Sequence, residues 1–307
     1  MISTAQFFGL PFLLASVACA LGTQVGEPGG ESTTSHSEVE ELKAEYELGK
    51  RYAQGDGVEQ NCATAAGHFR KAAEKGSAEA QIWLGSLYGR GLGVKKDPVE
   101  AVMWYRKAAE QGNALAQYSM GCYCSSGSGT PKDSVEAVKW WKKAADQNQV
   151  EAQNELGQYY FNGRRGDTNH PPEYLEAAKW LRKASEQGYT PSMYNLAVMY
   201  EFGQGVETDF QQAARWYRGA AEAGNTRAQS SLGLLYLDGR GVTNDLVQAY
   251  AWLKLSAGRG DPVGLKYVSE YNPKLLTQQQ LDEVNRLVAV FAERTRKYGK
   301  DSSEHTK

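Results

Sequence analysis

The sequence repeats a Leu-Gly pair, or a close substitute, at a nearly constant interval. The pair first occurs at Leu48-Gly49 and returns with spacings of 36, 36, 36, 40 and 36 residues. A period in this range is typical of stacked supersecondary units, because one helix pair can hide its apolar face only against its neighbours. The sequence therefore predicts an all-α array of six helix pairs. The later copies are Leu84-Gly85, Met120-Gly121, Leu156-Gly157, Leu196-Ala197 and Leu232-Gly233.

Each copy contains the pattern of a first helix. In the second copy Ala80, Leu84 and Tyr88 are spaced by four residues, which places them on one face of a helix. We expect these side chains to form core. Gly85 adjoins them, and we expect it to mark a close approach of another backbone, since glycine has no side chain.

A second helix follows in each copy, and its start is well marked. Asp97 is a favourable N-cap, Pro98 suits the first turn, and Glu100 completes the pattern at the third helical position. Trp104 then lies on the core face, at a repeat position that holds five of the seven tryptophans. Each second helix ends near a residue suited to a left-handed C-cap: Gly76, Gly112, Asn148, Gly188, Gly224 or Gly260.

These strings resemble the Sel-one-like repeats, a branch of the tetratricopeptide-type α-solenoids. The resemblance covers about residues 44–260 and implies a right-handed α-α superhelix of six helix-turn-helix repeats. It implies little about activity, because function depends on sites and not on the scaffold. The patterns that carry it include Ala80-Gln81-x-x-Leu84-Gly85-x-x-Tyr88 and Trp104-Tyr105-Arg106-Lys107-Ala108-Ala109-Glu110-x-Gly112.

A further helix is expected after the last repeat. Thr277 and Gln280 form a capping pattern, and Leu281, Val284 and Phe291 share one helix face, so this helix should cap the array. The expected organisation is a signal peptide at 1–20, a disordered linker at 21–40, repeats at 41–76, 77–112, 113–148, 149–188, 189–224 and 225–260, a partial repeat with the capping helix at 261–299, and a disordered tail at 300–307.

The N-terminal residues favour export. Residues 1–26 carry no charged side chain, and the apolar stretch from Phe7 to Leu21 is too short for a comfortable membrane span. Small residues follow, as a signal-peptide cleavage site requires, although a basic n-region is missing. We expect a periplasmic or secreted protein whose mature chain has no membrane span. The ER lumen, or lipid attachment to an envelope through Cys19, stays open as an alternative.

Charge and motifs argue against several function classes. The chain has 34 Lys and Arg against 36 Asp and Glu, so no global field favours nucleic acid. The four His residues lie far apart and no Cys-x-x-Cys spacing occurs, so we expect no metal and no cofactor. No Gly-x-Ser-x-Gly or Ser-x-x-Lys motif occurs, so we do not expect this protein to be an enzyme. The alternatives are a secreted enzyme or glycan-processing factor, as in the branch of relatives described as β-lactamases, and a lipid-anchored envelope assembly module.

The resemblance implies a non-catalytic scaffold or adaptor for protein–protein interaction, which we expect to be monomeric. Its first helices would line a concave groove that receives a protein or peptide partner. Relatives serve in endoplasmic-reticulum quality control, or in bacterial secretion, envelope polysaccharide assembly and host contact, and the sequence does not choose among these. The candidate groove residues are the non-core positions Tyr118, Asn154, Glu155, Tyr194 and Asn195.

Repeat 4 carries four extra residues in its inter-helix loop, which contains Arg165-Gly166-Asp167. On an exposed loop this tripeptide resembles the adhesion motif read by integrins. A three-residue match arises easily by chance, and the neighbouring Pro171-Pro172 already indicates an ordinary polar loop. We therefore prefer the second interpretation.

Repeat 1 departs from the pattern at His68, which replaces the core tryptophan and should be partly buried. The cysteines also depart from the one pair per repeat of cysteine-rich relatives. Cys62 and Cys124 are two repeats apart, which should exceed the Cα separation of about 7 Å that a disulfide allows. We expect free thiols.

Overall fold

The computed structural model describes residues 36–163, 172–270 and 276–304, and these ranges contain fourteen α-helices. The predicted all-α solenoid of six helix-pair repeats is confirmed. The helices are α1 (His36–Gln54), α2 (Cys62–Glu74), α3 (Ala78–Arg90), α4 (Pro98–Glu110), α5 (Ala114–Ser126), α6 (Ser134–Asp146), α7 (Val150–Asn162), α8 (Tyr174–Glu186), α9 (Thr190–Phe202), α10 (Phe210–Glu222), α11 (Thr226–Asp238), α12 (Leu246–Ala257), α13 (Pro262–Glu270) and α14 (Gln278–Glu304).

Two helices extend beyond the expected boundaries. Helix α1 begins at His36, inside the expected linker. The carboxylate of Glu38 in its first turn stabilises this start, because it lies near the positive end of the helix dipole. Helix α14 continues to Glu304, past the expected start of the tail at residue 300. A helix that is already nucleated gains a hydrogen bond with each added residue, so a polar segment can continue it.

The described chain forms two compact units, the first ending at Ala152 and the second beginning at Gln153. In the first unit, consecutive helices from α1 to α6 pack against each other, and in the second the same holds from α8 to α13. Helix α14 packs on α12 and α10. There Phe291 stacks on Trp252, with ring centroids 3.9 Å apart, so α14 covers the second helix of repeat 6.

The predicted helix caps are confirmed. Asp97 Oδ1 accepts hydrogen bonds from the amides of Val99 and Glu100, at 3.0 and 3.1 Å. Asn148 has a φ of 64°, so it adopts the left-handed conformation predicted for a glycine substitute. The caps therefore explain why the repeats keep their helix boundaries. Four of the other second helices are capped in the same way, by Asn61, Asp133, Asp209 and Asp245, whereas Glu173 at the start of the second helix of repeat 4 makes no side-chain cap hydrogen bond.

The prediction that another backbone approaches Gly85 is wrong. A Cβ atom at Gly85 would lie 3.0 Å from Tyr105 Cδ2, and one at Gly121 would lie 2.3 Å from Trp141 Cδ1. The glycine on the first helix makes room for a large side chain on the second helix of the same repeat. The Leu-Gly pair therefore specifies packing inside a repeat.

Close backbone approach occurs instead in the loop between the two helices of a repeat. Gly93 has a φ of 69°, and a Cβ there would lie 2.2 Å from the Cys62 carbonyl carbon. The loop of repeat 2 thus rests on the start of the second helix of repeat 1. The same contact joins Gly129 to Pro98, Gly205 to Tyr174 and Gly241 to Phe210.

A buried glutamine joins neighbouring repeats. Gln81 donates from Nε2 to the carbonyl of Ala73 in repeat 1, at 3.1 Å, and its Oε1 accepts from Gln111 Nε2, at 2.8 Å. Repeat 5 replaces both glutamines, with Met193 and Ala223. Because both partners change together, neither buried amide is left without a hydrogen bond there.

His68 is half-buried in repeat 1, as predicted. Its Nδ1 lies 2.6 Å from Glu45 Oε2, and its ring stacks on Tyr52, with centroids 5.6 Å apart. Lys71 Nζ lies 3.1 Å from the other oxygen of Glu45. The hydrogen bond with His68 holds the pKa of Glu45 below its ordinary 4.5, against the opposite effect of burial. Cys62, Cys122 and Cys124 keep their thiols and form no disulfide among the described residues, as predicted.

We expect the stabilising effect of Glu45 to disappear in acid. Its folded-state pKa is lowered, so its contribution is present above about pH 4.5 and is lost as the pH falls through the folded pKa. Glu45→Gln should lower the free energy of unfolding by about 1 kcal/mol at pH 6, as expected for a hydrogen bond to a charged group. Urea titrations from pH 6 to pH 3 should show the difference closing, and a constant difference would contradict the assignment.

Candidate binding surface around Glu201

The five predicted groove residues lie on three first helices. Tyr118 is on α5, in the first unit. Asn154 and Glu155 are on α7, and Tyr194 and Asn195 are on α9, all in the second unit. Except for Asn154 they are half-buried, so each presents only part of its side chain to solvent.

Asn154 is not available to a partner. It is 2% exposed, and its Oδ1 accepts a 3.0 Å hydrogen bond from Ser192 Oγ, which joins α7 to α9. The next residue, Glu155, is affected by the same burial. Desolvation raises the pKa of Glu155 to about 7, although a side-chain hydrogen bond with Asn154 lowers it. These two residues therefore belong to the interior more than to a contact surface.

Tyr194 belongs to a polar cluster that the sequence did not predict. Its ring lies 5.8 Å from that of Tyr217, which is 1% exposed. Tyr217 donates its hydroxyl proton to Glu201 Oε2, at 2.8 Å. Arg240 Nη1 lies 3.7 Å from the other oxygen of Glu201. The tyrosine hydrogen bond therefore holds one oxygen of Glu201, while Arg240 makes its shorter ion pair, of 3.0 Å, with Asp238. We call Tyr194, Glu201, Phe202 and Arg240 the Glu201 surface.

The electrostatics of the cluster keep its tyrosines neutral. Burial raises the pKa of Tyr217, and the carboxylate of Glu201 raises it further. Burial also raises the pKa of Tyr194, where the positive charge of Arg227 acts in the opposite direction. Tyr217 therefore stays a hydrogen-bond donor at neutral pH. This is the chemistry of recognition by hydrogen bonds and charge.

Phe202, the residue after Glu201, supplies an exposed aromatic ring. It is 65% exposed at the last residue of α9, and it follows Tyr194 and Val198 at intervals of four residues, on the same side of the helix. Large exposed aromatic side chains commonly act as anchors in protein interfaces. A partner could therefore meet an apolar anchor and a fixed negative charge together.

A sequence signal for Glu201 existed. At its repeat position the other copies have Ala53, Gly89, Ser125, Phe161 and Leu237. A single carboxylate at a position that is otherwise uncharged indicates a local function. Its partner Tyr217 lies on the next helix, so their contact required the packing of α9 on α10 to be known.

Several predicted features lie outside the described residues. These are Arg165-Gly166-Asp167, Cys19 and the signal peptide. Among the residues that the structure describes, no cluster of His, Cys, Asp and Glu could hold a metal ion. No helix in the described ranges is both long and apolar enough to cross a membrane.

Comparison with known proteins identifies the repeat. A protective antigen of uropathogenic Escherichia coli strains, displaying an SLR fold, is 29% identical, with a TM-score of 0.53. That match covers 86% of this chain and 64% of the antigen. A Sel1 repeat protein from Oxalobacter formigenes is 30% identical, with a TM-score of 0.61, and the match covers 82% of this chain and 97% of that one. No curated protein matches.

The repeats also match a family model directly. The Sel1 repeat model fits six consecutive segments, each shifted by one residue from the boundaries expected from the sequence. The segments are 42–77, 78–113, 114–149, 150–189, 190–225 and 226–261. With the helix pairs, the caps and the solved relatives in agreement, the chain belongs to the Sel1 repeat family.

Proposed function

We propose that this chain is a non-catalytic scaffold that binds a partner protein through the Glu201 surface, and that it works after export. Sel1 repeat proteins generally mediate protein–protein interaction and are generally not enzymes. Export rests on the charge-free apolar N-terminus, with the periplasm or the exterior as destination. Attachment through Cys19 and the display of Arg165-Gly166-Asp167 are separate possibilities within this proposal.

One observation carries the choice of surface. The side chain of Glu201 is only 13% exposed, Tyr217 donates a 2.8 Å hydrogen bond to one of its oxygens, and Arg240 lies 3.7 Å from the other. Holding a carboxylate in a fixed position lowers the entropy cost of binding a complementary group. The next residue of α9, Phe202, has an exposed ring. An ordered polar group beside an exposed aromatic anchor is typical of a recognition surface.

Site-specific photo-crosslinking tests this proposal. A photoreactive phenylalanine replaces Phe202 in one variant and Val99 in another, because both native residues are 65% exposed but Val99 lies on a second helix. Adducts formed in the native cells are identified by mass spectrometry. We expect one recurrent protein adduct from position 202 and none in common with position 99. The same adducts from both positions, with the fold intact, would refute this surface.

Phe202→Ala should weaken binding of the captured partner by about 30-fold, as loss of an interface hot spot of about 2 kcal/mol implies. Because Phe202 is exposed, the change should leave the free energy of unfolding within about 0.5 kcal/mol of wild type. Titration calorimetry and urea unfolding measure the two quantities. Val99→Ala is the matched control, and an equal loss of affinity in both variants would count against the anchor.

A further inference from the structure

A small cavity lies between the second helix of repeat 4 and the loop of repeat 5. Its volume is about 240 Å³, and Ala178 and Leu175 of α8 and Val206 of the loop form its apolar part. Leu175 is 74% exposed, the highest value among the exposed large hydrophobic residues in the described chain. An apolar cavity of this size accommodates a group as large as a leucine side chain.

Small residues leave this space open. At the position of Ala178, repeats 2 and 3 have Val102 and Val138, whereas repeats 1 and 5 also have alanine, at Ala66 and Ala214. Ala178 lacks the two methyl groups that valine carries, and Gly205 has no side chain. Repeats 2 and 3 also show that valine is compatible with the fold at this position.

Basic side chains surround the cavity. Lys179, Arg182 and Lys183 line it with one acidic residue, Glu186. Lys183 Nζ lies 4.5 Å from the centre of the Trp180 ring, and Arg182 donates to the Tyr200 hydroxyl at 2.8 Å. Neither cation has a carboxylate partner among the described residues, whereas Lys179 lies 3.6 Å from Glu176.

We propose that this cavity is a docking site for an acidic segment of a partner protein. One apolar side chain of the segment enters the cavity beside Leu175, and carboxylates on either side of it pair with Arg182 and Lys183. Burial of the apolar side chain anchors the segment, and the two cations favour a segment that carries negative charge. The site lies on α8 and not on the Glu201 surface, so the scaffold could hold two partners at once.

The test uses a fluorescein-labelled peptide with the sequence Glu-Glu-Leu-Glu-Glu and the full chain. We expect saturable binding that weakens with salt, since exposed charge pairs are screened. Replacing the peptide leucine by serine should lower affinity at least tenfold. Lys183→Glu should lower it at least tenfold and Ala178→Val about fivefold, because one reverses the charge and the other fills part of the cavity.

Two control variants show whether the peptide binds at this cavity. Lys107→Glu changes the equivalent lysine of repeat 2, which lies 4.2 Å from the Trp104 ring, and should leave peptide affinity unchanged. Phe202→Ala should also leave it unchanged, so failure here is distinguishable from failure of the Glu201 surface. Binding unaltered by Lys183→Glu and Ala178→Val would overturn the proposal. The proposal would also be overturned if the peptide did not bind and the chain instead associated with itself in a way that Lys183→Glu abolishes.

Discussion

Gly93→Ala is expected to lower the free energy of unfolding by about 3–5 kcal/mol, combining left-handed strain with overpacking against a backbone. The added Cβ would lie 2.2 Å from the Cys62 carbonyl carbon and 2.4 Å from the Ala63 amide nitrogen. Neither group can rotate away, because both belong to the first turn of α2. Repeats 1 and 2 must therefore separate locally. Urea unfolding followed by circular dichroism measures the loss.

Gly112→Ala is the matched control. Gly112 also has a positive φ, of 92°, and lies in the same unit, but an added Cβ would meet nothing within 4 Å. Gly112→Ala should therefore lower the free energy of unfolding only through conformational strain, by about 1–2 kcal/mol. Hydrogen exchange should show lost protection at the start of α2 in Gly93→Ala alone. Equal losses in the two variants would show that the contact between repeats contributes nothing.

Glu155→Gln is expected to stabilise the protein at high pH by about 3 kcal/mol, close to the linkage value of a pKa raised from 4.5 to about 7. Because the folded-state pKa is raised, the contribution of this carboxyl is fully present below about pH 4.5. It is lost as the pH rises through 7, when a half-buried group must ionise. Glutamine has nearly the same shape and carries no charge at any pH.

The comparison is made by urea unfolding at pH 4, 7 and 9. The two proteins should have the same stability at pH 4, and the variant should gain most of its advantage by pH 9. Glu110→Gln changes an exposed residue and should leave the free energy of unfolding unchanged at all three pH values. An advantage that does not depend on pH would show that burial does not penalise the charge of Glu155.

Sequence periodicity predicted the helix pairs because each signal is local. Asp97 caps α4 through atoms within three residues of it, and Asn148 needs only its own φ angle to end α6. The end cap was predicted from the helical spacing of Val284 and Phe291 for the same reason. Such features depend on short stretches of chain and can therefore be predicted without knowledge of the tertiary structure.

The candidate site was less predictable, because exposure depends on how each helix is rotated against its neighbours. Asn154 and Tyr194 occupy the same repeat position, yet Asn154 is 2% exposed and Tyr194 is half-buried. Ser192 on the next first helix donates a hydrogen bond to Asn154 in this buried position. Glu201 meets Tyr217 only because α9 and α10 pack at this depth, and no pattern within one helix contains that information.

We expect a partner to bind the first helices around Glu201. Hydrogen–deuterium exchange of the full chain, with and without the partner captured at position 202, tests it most directly. We predict slower exchange in the last turn of α9 and at Arg240, with α4 unchanged and the effect lost in Phe202→Ala. Protection confined to second helices, or unaffected by Phe202→Ala, would contradict the claim.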